Sequence, residues 1–86
     1  MASTQAKLLG PDGFVRAPVE ERKLNELAAS TFSSNGAREF LAYLRSITIE
    51  AVAGPHIGSD ELRHREGMRY LVAIIEQRIN KGKQND

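Results

Sequence analysis

Ala53-Gly54-Pro55-His56-Ile57-Gly58-Ser59-Asp60-Glu61 is the stretch whose reading decides the architecture. A glycine followed by a proline stops a helix, because glycine takes the C′ conformation without strain and proline cannot carry the helix on. A serine followed by two acidic residues opens one, with the hydroxyl as cap and the carboxylates at the positive end of the dipole. Only the five residues Gly54 to Gly58 separate the stop from the start. Helices joined by so short a link are antiparallel neighbours, and the fold class expected is all-α, built on a helical hairpin.

Working upstream, Ser34 caps a helix expected over about 35–53. Ala37, Phe40, Leu41, Leu44, Ile47, Thr48, Ala51 and Val52 fill one apolar arc of it. Ala42, Ser46, Ile49 and Ala53 form a second stripe of mostly small residues on the opposite side. A helix apolar on two sides is sandwiched, so Ala42, Ile49 and Ala53 are candidate contacts with a further element or another protein. Downstream, a helix over about 59–81 gathers Gly67, Met68, Leu71, Val72, Ile74, Ile75 and Ile79 on its apolar arc. Glycine inside a helix costs roughly 1 kcal/mol relative to alanine. Gly67 is therefore expected where the preceding helix comes close, with Leu41, Leu44, Leu71 and Ile75 as the core between them.

Further upstream, Pro18 suits a first helical position and Glu20 and Glu21 follow it, which predicts a short helix over about 18–30. Residues 1–17 show no helical period. Gly10-Pro11-Asp12-Gly13 is a turn signal flanked by the apolar pairs Leu8-Leu9 and Phe14-Val15. Two readings stay open, a flexible leader and an extended arm or tiny hairpin that docks on a neighbour through Phe14. On the second, Leu8, Leu9, Phe14 and Val15 are interface residues. The expected organisation is an arm over 1–17, one helical domain over 18–82 and a polar tail over 83–86.

Eighty-six residues form one small domain. Cores of this size rarely supply more than about 3–5 kcal/mol, and small folds often add a disulfide, a metal or a partner. The chain has no cysteine, so association is the readiest additional source of stability. The net charge is +1 and basic and acidic residues are balanced along the length, which argues against a nucleic-acid partner. No apolar run approaches the ~18 residues of a membrane span, and Met1 to Lys7 has no secretory apolar region.

The residues that could carry chemistry read as bland. His56 and His64 lie eight apart across a helix start, unlike the i, i+4 pair of a helical zinc site, so no metal is expected despite Asp60 and Glu61 nearby. His64 reads as a packed residue near the mouth of the hairpin. No thiol, triad or phosphate loop is recognisable, and the expectation is a non-enzyme with no cofactor. Arg63, Arg65, Arg69, Arg78, Lys81 and Lys83 are spread around their helix among Glu61, Glu66 and Glu76, as a solvated mixed-charge face is.

Phe32-Ser33-Ser34-Asn35-Gly36 leading into Phe40-Leu41-x-x-Leu44-Arg45, followed by Glu66-Gly67-Met68-Arg69-Tyr70-Leu71-Val72, resembles a group of small tailed-bacteriophage proteins. The resemblance covers about residues 32–80, and the genes of that group lie among the head and tail-connector genes. It implies a virion or virion-assembly protein that binds a larger phage structural protein or copies of itself. Such a protein is made in the host cytoplasm and located in the virion. The alternative expectation is a small cytoplasmic regulator binding a host protein or DNA.

Overall fold

The computed structural model describes residues 6–84; the readings made for residues 1–5 of the arm and 85–86 of the tail lie outside these. The elements in chain order are β1 (Leu8–Leu9), β2 (Val15–Arg16), α1 (Pro18–Thr31), α2 (Asn35–Ser46) and α3 (Ser59–Gln84). The chain is mostly helical, as expected, and the described part of the arm is a miniature antiparallel hairpin.

That hairpin follows from its turn chemistry. Leu9 pairs with Val15 and Leu8 with Arg16, and the Gly10 N–H donates to the Phe14 carbonyl at 2.8 Å. Pro11, Asp12 and Gly13 make the three-residue loop that such hairpins favour, with the glycine in the left-handed region at φ +88°. The Asp12 carboxylate accepts the Phe14 N–H at 3.0 Å and locks the turn.

α1 begins at Pro18 after an extended Ala17, with Glu20 and Glu21 in its first turn. α2 is capped by Ser34, whose hydroxyl accepts the Ala37 N–H at 3.1 Å. It ends at Ser46 rather than Ala53, a correction to the expected helix. Ile47-Thr48-Ile49 is a β-branched run of poor helix formers. The Ser46 and Thr48 hydroxyls also donate to the carbonyls of Tyr43 and Leu44, both at 2.6 Å, competing with the helical ladder. The Arg45 carbonyl instead accepts the N–H groups of Thr48 and Glu50. The link between α2 and α3 therefore runs over residues 47–58, not only Gly54 to Gly58. α3 starts at Ser59 itself and continues through Gly82, where a stop was expected.

The helical hairpin survives this longer link. Arg45 of α2 pairs with Glu76 of α3, while earlier residues of α2 lie opposite later residues of α3, so the two run antiparallel. The principal packing partner of α3 is α1, however. Glu21 lies beside Arg78, and Asn25 and Ala29 lie against Gly82, so α1 runs in the same direction as α3 along its C-terminal half.

Gly82 is the glycine that permits close approach. A Cβ there would collide with the Asn25 carbonyl and come within 2.7 Å of the Ala29 methyl. Gly67 does not play that part. It is exposed and a Cβ there would meet nothing within 4 Å, which corrects the expected contact with α2.

The core is correspondingly slight. Among the described residues the buried apolar side chains are Val72 and Ile79. Leu41, Leu44 and Ile75 are half-buried, whereas Leu71, expected in the core, is exposed although Val72 beside it is buried. The Cα extents are 56 × 32 × 13 Å. The molecule is flat and elongated rather than round.

Candidate protein-binding surface

The surface is built on a buried polar cluster that fixes the β-hairpin to the helices. Arg78, 7 % exposed on α3, donates to Glu21 at 2.9 Å and to the Asn25 side-chain oxygen at 2.9 Å. Arg16 of β2 donates to the same Glu21 at 2.8 Å and to Asp12 at 2.7 Å. Arg78 also lies 3.6 Å from Asp12. Two guanidinium groups thus sit between two carboxylates contributed by the turn and α1. The Arg16 hydrogen bond, followed by that from the Phe14 N–H, holds the Asp12 carboxyl well below the usual carboxylate range. Asp12, then Glu21, push Arg16 above its ordinary value. Glu21 is lowered chiefly by Arg78 and further by Arg16, against the opposing effect of burial. On the other side, the Tyr70 hydroxyl of α3 donates to the Pro11 carbonyl at 2.8 Å.

Anchored this way, the hairpin holds out its apolar side chains instead of burying them. Leu8, Leu9, Phe14 and Val15 are all exposed, Leu9 at 71 % and Phe14 at 66 %. The register brings Leu9 and Val15 opposite each other and Leu8 opposite Arg16, so strand alternation divides these predicted contact residues between two faces, Leu9 with Val15 on one and Leu8 on the other. The Arg16 guanidinium lies 5.6 Å from the Phe14 ring centroid, a cation–π distance.

A second apolar surface runs along α2. Phe40, Tyr43 and Ile47 recur at i, i+3 and i+7 and are all exposed. The Phe40 and Tyr43 ring centroids are 5.6 Å apart. The sequence reading placed Phe40 and Ile47 in the inward arc; the helical spacing that joins them to Tyr43 was the available signal for a separate ridge. The predicted stripe Ala42–Ile49–Ala53 does not exist as a helix face, because α2 ends before Ile49. Ala42 is exposed on α2, whereas Ile49 and Ala53 are half-buried in the link. Ala53 instead lines a shallow hollow against α3 with Ile47, Thr48, Leu62 and Met68.

Between α2 and the end of α3 lies an open groove of about 310 Å³, lined by Phe32, Arg38, Leu41, Arg45, Glu76, Ile79, Asn80 and Lys83. The Arg45–Glu76 pair closes one end of it, and Glu76 raises the Arg45 pKa. His64 is exposed on α3, a correction to its reading as a packed residue. Among the described residues no three histidine, cysteine or carboxylate side chains are grouped so as to hold a metal, and no helix is long and apolar enough to cross a membrane.

Together these features define a small, flat helical protein with an anchored β-hairpin and an apolar ridge on display. Residues 28–83, well over half of the chain, match the Bbp19-like phage proteins, and the chain belongs to that family. The match spans α2, the link and nearly all of α3, and leaves the β-hairpin and most of α1 outside it. No curated protein and no solved structure matches the chain.

Proposed function

We propose that this phage protein is a small virion or virion-assembly component that binds a larger structural protein or copies of itself, and that it performs no catalysis. The observation that carries the reading is the display of Phe14, Leu9 and the Phe40–Tyr43–Ile47 ridge on a fold that buries only Val72 and Ile79 among its described apolar side chains. Apolar groups held on a firm scaffold and left in water are what association removes from water. The hairpin suits docking because its backbone is already shaped before a partner arrives, which lowers the entropy cost of binding.

The test is co-purification. Particles are isolated from infected cells and probed for the protein alongside the cleared lysate. Recovery in fixed proportion to the major structural proteins supports the reading. Recovery only in the lysate overturns it and favours a soluble regulator.

A further inference from the structure

We infer that the groove between α2 and α3 receives an acidic segment of another protein, anchored by an apolar side chain. The inference deepens the association reading above and rests on it. Phe32, Leu41 and Ile79 supply an apolar lining, and Arg38 and Lys83 stand at its margin. The two margin cations are exposed, and among the described residues neither forms a salt bridge; Arg38 makes only a hydrogen bond to the neighbouring Asn35 side chain. The acidic side chain in the lining, Glu76, pairs with Arg45, which also holds Glu50 outside the groove, and the lining carries three cations, Arg38, Arg45 and Lys83, to this one carboxylate. The groove therefore presents unmatched positive charge beside an apolar floor.

Its volume, about 310 Å³, accommodates one or two large apolar side chains but not a whole helix. Carboxylates flanking such an anchor would meet Arg38 and Lys83, which supply charge-assisted hydrogen bonds where the site is partly dry. A nucleic acid fits less well. Two cations without a salt bridge among the described residues neutralise too few phosphates, and the remaining charge of the chain is balanced. A second copy of this chain offering its exposed apolar hairpin fits less well too, because that hairpin carries Lys7 beside Leu8 and Leu9 and its one carboxylate, Asp12, is already paired with Arg16.

The probe is a fluorescein-labelled twelve-residue peptide with a central Leu-Phe pair flanked by glutamates, compared with its lysine-for-glutamate counterpart by fluorescence polarisation on the full chain. The acidic peptide is expected to bind at least about tenfold tighter, as charge complementarity of about 1.4 kcal/mol requires. The double variant Arg38→Glu, Lys83→Glu should reverse that preference while retaining the wild-type circular dichroism, since both positions are exposed. A photo-crosslinker at position 38, used during infection, should label an acidic stretch of another phage protein. Equal binding of the two peptides, an unchanged preference in the double variant, or crosslinking solely to nucleic acid or to the same chain overturns the inference. Failure here with normal recovery in particles would leave the association reading standing, whereas absence from particles strikes that reading first.

Discussion

Arg78 is the residue on which most of the tertiary structure converges. Removing one partner of a buried, hydrogen-bonded ion pair typically costs about 3–5 kcal/mol, because the other charge stays behind without compensation. Arg78→Ala is therefore expected to destabilise by about 3 kcal/mol, enough to unfold much of a chain this small, as a urea melt would show. The same cluster sets an acid limit. Asp12 and Glu21 both titrate below their ordinary values of 3.8 and 4.5 in the folded protein. Their contribution is complete above those values and is lost as the pH falls through the lower folded ones. The melting temperature should drop below about pH 4 in the wild type and drop less steeply in Glu21→Gln. The two helical glycines give an opposed pair of predictions. Gly82→Ala drives a methyl into α1 and should cost about 1–3 kcal/mol, whereas exposed Gly67→Ala should gain about 0.5–1 kcal/mol, both read from thermal melts.

At the scale of elements, the helix starts were legible and the packing was not. Pro18, Ser34 and the Ser59-Asp60-Glu61 stretch act through local backbone chemistry, so they mark their helices correctly without tertiary knowledge. The Gly10–Gly13 turn is local in the same sense. The end of α2 depends on a contest between helical hydrogen bonds and the hydroxyls of Ser46 and Thr48, and an apolar periodicity continuing to Ala53 conceals it. The second neighbour of α3 was not foreseen, because α1 meets it through Glu21, Asn25 and Ala29, a face that does not look like core. Arg78 nevertheless stood in the sequence between Ile75 and Ile79, a position where a charge on an apolar face asks for a buried partner. The cap of α2 should matter more than usual, since this helix has little tertiary packing. Ser34→Ala is expected to cost about 1 kcal/mol and to lower the helical circular dichroism signal.

At the scale of the whole molecule, the thin fold makes solution behaviour depend on what covers it. Phe40→Glu and Leu9→Ser alter exposed side chains outside the polar cluster, so each should leave the melting curve nearly unchanged. Each should reduce recovery in particles, measured against wild type by quantitative immunoblot; full recovery of both would remove the ridge and the hairpin from the list of contacts. Truncation through Arg16 is a poorer test, because it also withdraws Asp12 and Arg16 from the cluster around Glu21 and Arg78. That cluster has a temporal consequence as well. Glu21 and Arg78 stand 57 residues apart in the sequence, and a polypeptide leaves the ribosome with its N-terminal end first. The hairpin turn can close early and Arg16 can reach Glu21 of α1, yet the bridge from Arg78 of α3 to Glu21 and Asp12 waits until that residue has emerged. A chain interrupted before that residue carries the same Leu9 and Phe14 but lacks the Arg78 bridge between turn, α1 and α3. Full fastening of the arm is thus a late event in the making of the chain, however early its turn takes shape.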